Sequence, residues 1–442
     1  MESSRKGRGA MLINFKTKNY KSFKDGFDFS MKASRVRDLT HSLLKYDEDS
    51  RKILSSAVVY GPNASGKTTV IEAFLRLKDI VLNGNIENSK SNRGNMVSGN
   101  LEFIPFIYNE TEEPIEFDIE FEYEKIEYRY FLKFKLGKFI SETKREILEE
   151  ILEVGGKRQF YRTNSEVDVY FKNINIEMIN DGLNANLLDS YQKIFDSNIE
   201  PTTLFLSTEF RSLISKDIYN AIYKWFSEKL LVFNSFDHLR TGLFSTEKEI
   251  VEVPKELYDA VSKIGVLATK MFYRRKDESE FPTLLSGLEI EGNKVLIPSR
   301  IIESVGTLHF IDLFPALLHS LTNGVTLIID ELDASLHPMV VMSVVSLYHN
   351  PDINKYNAQL IFNTHNPIYL NNSVFRRDEM CFVEKDRETN VSEFYKLSDF
   401  MTNSNNPTRN TTDYINNYFM NKYGAIEYVD LSEVFEKIMN KG

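Results

Sequence analysis

Gly61-Pro62-Asn63-Ala64-Ser65-Gly66-Lys67-Thr68, followed by Thr69, fits the pattern G-x-x-x-x-G-K-[ST]. Glycines in such a loop let backbone N–H groups turn inward around phosphate oxygens at a helix N-terminus. Lys67 is then placed to neutralise the β and γ phosphates of ATP, and the Thr68 hydroxyl to ligate Mg²⁺. The metal also needs a carboxylate from the end of a neighbouring buried strand. The run VTLIIDE, residues 325–331, supplies Asp330 for the metal and Glu331 as a general base that polarises an attacking water. A hydrophobic strand ending in Asp-Glu is common by itself, and its weight comes from the phosphate loop. Two weaker signals join them. Ser304-Val305-Gly306-Thr307 is a Ser/Gly turn that opens an apolar helix, and His365 ends the run AQLIFNTH.

These residues need a scaffold, and the hydrophobic periodicity outlines one. Leu12–Met31 alternates apolar and polar residues and predicts a hairpin or a pair of strands. Residues 53–60, ILSSAVVY, predict a buried strand that runs into the glycine-rich turn, and KTTVIEAFLRLKDIVL after it predicts a helix. Residues 84–100 are rich in Gly, Asn and Ser and read as a loop. Three aromatic and β-branched runs between 101 and 140 predict antiparallel strands. From about 143 to 280 the pattern is mixed and mostly helical, with ISKDIYNAIYKWFSEKLLVF its strongest helical stretch. Strands return at 325–330 and 358–364, separated by a helix near 339–349. The expected architecture is α/β, with a flexible tail at 1–10 and an N-terminal half of the nucleotide-binding head at 11–140. A mostly helical insertion follows at 141–285, and the C-terminal half occupies 286–442. Lys67 and Asp330 are 263 residues apart, so a large insertion separates the two halves of the site.

A chain of 442 residues can bury a large core, which excludes a peptide hormone or a disulfide miniprotein. No run of about 18 apolar residues is present to span a bilayer. An N-terminus without an apolar stretch and a single cysteine, Cys381, favour a reducing cytoplasm. The net charge of −10 argues against a surface that coats nucleic acid. The basic stretches Lys270–Lys276 and Arg376-Arg377 read first as solvated helix faces and second as a hold on a nucleic acid strand. The acidic runs Glu146–Glu153 and Glu247–Glu256 also read as solvated helix faces. His309, His319 and His349 lack metal-ligand spacing, and Cys381 reads as a buried thiol.

Phosphate loop, Ser-x-Gly turn, Asp-Glu strand end and strand-terminal histidine, in this order, resemble the ABC-type ATPases of the SMC and DNA-repair kind. More closely, FKTKNYKSFKDGFDFSM, YGPNASGKTT, ESVGTLHF, LIIDELDASLHP, FNTHNP and RRDEMCFVEKD are similar to a bacterial AAA-type "ATP/GTP phosphatase" family. That family includes RloA-like proteins, the AriA ATPase of PARIS systems and relatives of the Septu ATPase, and the resemblance covers residues 11–430. It implies a P-loop NTPase of the ABC/SMC head type with a mixed β/helical insertion lobe. It further implies a head-to-tail pair of heads, in which Ser304 and Gly306 contact the γ-phosphate of ATP held by the other subunit's Gly61–Thr68 loop. His365 would be the switch histidine. Leu336-His337-Pro338 takes the D-loop place, with His337 where many ABC proteins have Asp. Gln159, Gln192 and Gln359 are the chain's glutamines, none at the expected Q-loop, so residues 103–109 take that place without one. The implied function is an antiviral-defence ATPase that senses a trigger and holds or activates a separately encoded effector, a Toprim/RloB-like or HNH nuclease. The 77 residues after His365 are too few for a Toprim domain of its own. Two alternatives stand beside it: a DNA-processing ATPase acting directly on nucleic acid, and a nucleotide-cemented scaffold with little turnover.

Overall fold

The computed structural model describes residues 10–45, 52–87, 104–109, 112–136, 145–180, 188–234, 250–274, 283–400, 413–426 and 430–439. Two sheets organise the head. The first begins with β1 (Ala10–Lys18) and β2 (Phe27–Ser30), the expected hairpin. The small ribbon of β3 (Leu44–Lys45) and β4 (Lys52–Ile53) leads to β5 (Ser56–Tyr60) and then helix α1 (Lys67–Asn83). Strands β6 (Ile115–Tyr123), β7 (Ile126–Lys135), β8 (Glu146–Val154), β9 (Lys157–Thr163) and β10 (Val167–Val169) complete the antiparallel sheet, in the order β10-β9-β8-β7-β6-β1-β2. In β6 the strict alternation buries Ile115, Phe117, Ile119 and Phe121. Its acidic face pairs with β7 through Arg129–Asp118 at 2.8 Å and Lys133–Glu116 at 3.4 Å.

Helices α2 (Leu188–Ser197) and α3 (Lys216–Lys224) pack under this sheet and lead to β11 (Leu230–Phe233). A third, four-stranded antiparallel sheet follows, with β12 (Ile250–Glu252), helix α4 (Lys255–Ile264), β13 (Lys270–Arg274), β14 (Thr283–Ile290) and β15 (Asn293–Pro298). Short α5 (Ser299–Ile302) and long α6 (Val305–Asn323) precede β16 (Thr326–Ile329). Then come α7 (Pro338–His349), β17 (Gln359–Thr364), β18 (Met380–Lys385), β19 (Ser392–Lys396), α8 (Tyr414–Phe419) and α9 (Ser432–Met439). The second large sheet runs β11-β16-β17-β5-β18-β19, parallel except for the edge strand β19. Its strands β5, β16 and β17 are buried along their whole length, which is why they read as unbroken apolar runs. Gln359 ties the two sheets together: its side chain exchanges hydrogen bonds with the Leu12 backbone at 2.6 and 3.0 Å and donates to Leu54 O at 3.1 Å.

Several expectations are corrected. Ala10 is already in β1 and buried; residues 1–9 lie outside the described residues. At the start of the Gly/Asn/Ser loop, Gly84 caps α1 and Ile86 is buried with its N–H on Thr202 O, while 88–100 lie outside the described residues. The first of the three expected strands is absent from 104–109, which form a turn. The interval 141–285 is not mostly helical: β8–β10 extend the N-terminal sheet and β11 joins the parallel one. The run 214–233 is helix only to Lys224, then a π-helical turn (Trp225–Lys229), then strand. A boundary at 286 would cut through β14. Glu146–Glu153 lies in a strand, and Glu150 points inward, where Arg162 (3.3 Å), Tyr130 OH (2.9 Å) and the N–H groups of Phe205 and Leu206 satisfy it. Lys270–Arg274 is likewise a strand; Arg275 and Lys276 lie outside the described residues. Of Glu247–Glu256, residues 247–249 lie outside them, and the rest divides between β12 and the start of α4.

Candidate active site

The C-terminal ends of β5, β16 and β17 converge on one point. β5 delivers Gly61 to the loop, and Gly66 sits at φ 116°, where a side chain would be strained and would press within 2.9 Å of Ser22 Oγ. α1 then begins at Lys67 with its first N–H groups directed at the loop. The Lys67 ammonium donates to Gly61 O at 2.7 Å and Pro62 O at 2.8 Å, and lies 3.3 Å from His365 Nδ1. An ammonium has only hydrogens to offer, so Nδ1 accepts and the ring N–H sits on Nε2. That Nε2 is 3.9 Å from Glu331 Oε1.

Asp330 comes from the strand next but one to β5, because β17 lies between them. It still reaches the loop: Thr68 Oγ1 donates to Asp330 Oδ1 at 3.3 Å across 262 residues of sequence. Asn363, fully buried on β17, spans the gap. Its amide donates to Asp330 Oδ1, and its carbonyl oxygen accepts the Glu331 N–H at 2.5 Å. Glu331 itself adopts φ 50°, which turns its half-exposed carboxylate toward His365. Burial raises the Asp330 carboxyl above its ordinary range, and the hydrogen bonds from Asn363 and Thr68 oppose that rise. Asp333 is raised by burial in the same way, and Thr364 Oγ1 donates to it at 2.7 Å. The Ser65 and Ser22 hydroxyls beside the loop are buried and have no partner among the described residues. A helix N-terminus, a lysine, two buried hydroxyls and a Thr-Asp pair are the kind of donor set that a triphosphate with its Mg²⁺ requires.

Ser304 and Gly306 stand at the start of α6. The Ser304 hydroxyl caps the helix, accepting Thr307 N–H at 3.0 Å, and its side chain is exposed. Gly306 backs onto the loop after β16, where a Cβ would come within 2.4 Å of Ser335 O. His337 caps α7 by accepting Met339 N–H on Nδ1 at 3.2 Å. Residues 104–109 pack against the β1–β2 turn, with Phe106 N and Asn109 Nδ2 donating to Asn19 Oδ1. Of the other histidines, His309 contacts Ala334 O at 2.9 Å, His319 contacts Asn323 on its own helix, and His349 is buried against Ser56 at 2.8 Å. Cys381 is buried, and burial pushes its thiol up to about 12. Asn363 and Thr364 are the residues that the motifs did not single out. Their signal is there in AQLIFNTH, because a buried apolar strand that carries Asn and Thr must give them partners.

The profile of the family described as "AAA domain, putative AbiEii toxin, Type IV TA system" matches residues 56–371, well over half the chain, and the chain belongs to that family. Its fold is an α/β P-loop NTPase. No curated protein sequence matches it. Among solved structures it is similar to the SMC head domain from Thermotoga maritima, with 12% identity over 87% of this chain and 98% of that one and a TM-score of 0.36. It is also similar to the Smc head domain bound to the C-terminal domain of ScpA, derived from Pyrococcus furiosus (14% identity, 88% and 96% covered, TM-score 0.37). A third is the recombination mediator protein RecF with ATP (12%, 89% and 100%, 0.33). No helix among the described residues is long and apolar enough to cross a membrane.

Proposed function

We propose that this AAA-domain chain binds ATP with Mg²⁺ and hydrolyses it to ADP and phosphate. The observation that carries the reading is the convergence of Lys67, Thr68, Asp330, Glu331 and His365, drawn from three strand ends, on the loop between β5 and α1. The backbone of Gly61–Thr69 cradles the phosphates, and Lys67 releases its loop carbonyls to meet the β and γ oxygens. Thr68 and Asp330 would hold the metal, which supplies charge neutralisation on the phosphate oxygens. Glu331 takes a proton from the attacking water, and His365 Nε2–H donates toward the γ-phosphate. Ser304, exposed at a helix N-terminus, and the half-buried Gly306 beside it complete the site of a second copy in a head-to-tail dimer.

In this reading the protein is a cytoplasmic member of an antiviral defence system. ATP binding and slow turnover hold a separately encoded effector, a nuclease, until a trigger releases or activates it. The family description, with its toxin and type IV system, supports that biology, and copurification of the adjacent gene's product tests it. For the chemistry, Lys67→Ala or Asp330→Ala should abolish ATP binding. Glu331→Gln should keep binding and slow hydrolysis by roughly 10²–10⁴-fold, the size of a general-base contribution. Normal turnover in Glu331→Gln would remove Glu331 as the base.

A further inference from the structure

Arg376 and Arg377 do not face solvent. Arg376 is fully buried, with two hydrogen bonds of 2.9 Å to Asp378 and others to the backbone oxygens of Asp38 and Val36. Arg377 Nε donates to Asp38 Oδ2 at 2.6 Å. Asp378 in turn accepts from Ser34 N at 2.7 Å and Ser34 Oγ at 2.9 Å. Four buried charges therefore clamp one surface segment, residues 34–38, onto the core. Burying charges is costly, and such a cluster fixes geometry more than it adds stability.

What the clamp holds outward is a second arginine pair. Arg35 and Arg37 are exposed, and among the described residues neither side chain has a hydrogen-bond or ion-pair partner; the same holds for the side chain of Lys52, whose carbonyl accepts the Ala33 N–H. With Lys32, which is paired to Glu120 at 2.6 Å, they rim a cavity of about 450 Å³. Its floor is apolar: Ile13, Val36, Leu43 and Ile53. In a chain of net charge −10, this is a local reversal of sign.

We propose that this cavity docks an acidic segment of a partner protein, one large apolar side chain entering the floor with carboxylates on either side. The rim guanidinium groups suit carboxylates, which they bind with two parallel N–H donors. Among the described residues the lining presents no aromatic platform on which bases stack, so a nucleic acid strand fits less well. Because Arg376 and Arg377 already hold the segment, little ordering is left to oppose binding. The proposal does not depend on the reading of the ATP site.

The test uses the full chain and four labelled probes: a random glutamate–tyrosine copolymer, polyglutamate, polylysine and a short oligothymidylate. The copolymer should bind best, polyglutamate more weakly, and polylysine not at all through this cavity. Arg35→Glu with Arg37→Glu, both surface changes, should weaken the copolymer roughly tenfold or more while leaving Tm unchanged, and added salt should act in the same direction. Absence of copolymer binding, or equal binding by the double variant, overturns the site. Equal affinity for polyglutamate and copolymer overturns the apolar anchor. Tighter binding of oligothymidylate, lost in the double variant, reassigns the cavity to nucleic acid.

Discussion

Replacing Asn363 by Asp keeps the size of the side chain and the acceptor for the Glu331 N–H, and exchanges the amide that donates to Asp330 for a second carboxylate. Both positions are buried. Two like charges about 3 Å apart repel by about 5 kcal/mol even at an effective dielectric near 20, so the pair retains a proton that must leave before a cation binds. The magnesium concentration for half-maximal ATPase activity should therefore rise roughly 10–100-fold near pH 7, one to two pKa units of added cost, and fall back as the pH approaches about 9. A metal-free readout accompanies it. Asp330 is already raised by burial in the native state, so the native protein holds this proton more tightly than the unfolded chain does. Its contribution to stability is complete below the ordinary carboxylate range and is lost as pH rises through the folded value. Asn363→Asp should deepen that loss by about 1.4 kcal/mol for each further pKa unit, seen as a steeper fall of Tm between about pH 5 and 8. If metal requirement and the slope of Tm with pH both match the parental protein, Asn363 does not tether Asp330 as described.

The remaining predictions concern the interface, the loop behind it and the buried pair. Ser304→Arg and Lys67→Ala should each be inactive, yet an equimolar mixture should recover about a quarter of the parental ATPase rate, since half of randomly paired dimers are mixed and each carries one of two sites; no recovery at any ratio argues against the head-to-tail arrangement. Gly306→Ala drives a methyl toward Ser335 O, now 2.4 Å from where its Cβ would lie. Displacing that loop should lower stability by roughly 1–3 kcal/mol and reduce turnover, measurable by thermal melting beside an ATPase assay. Glu150→Leu leaves Arg162 charged and buried, and should cost about 3–5 kcal/mol in a denaturant titration.

The phosphate loop, the strand before it and the helix after it were legible because each obeys a local rule: an apolar run, glycines where backbone must turn, helical spacing. The strand ends at Asp330 and His365 were legible for the same reason. The insertion was not. EILEEILEV has helix-forming glutamates at helical spacing, and it takes Tyr130, Arg162 and the backbone of 205–206 to make a strand with an inward Glu150 possible. Leu230–Phe233 looked like the end of a helix, and its parallel partner β16 lies about a hundred residues away. The Arg376-Arg377 pair reads as solvated because the counter-charge of Arg377, Asp38, and the backbone oxygens that Arg376 meets at Val36 and Asp38 are more than 300 residues distant. Asn363 was visible as a polar residue in an apolar strand, but its role requires knowing that β17 lies between β5 and β16.

That strand order has a consequence for how the molecule is made. β5 ends at Tyr60, yet both its neighbours, β17 and β18, lie beyond residue 358. At 5–20 residues per second, a ribosome needs roughly 15–60 s after finishing β5 to deliver them. Throughout that interval SAVVY, a short run of high β-propensity and no charge, has both edges unpaired. The N-terminal sheet can form in the meantime, since its strands are close in sequence, and the parallel core closes last. Nascent chains truncated before β18 should therefore be recovered bound to chaperones, and the phosphate loop should acquire its shape only as translation nears its end.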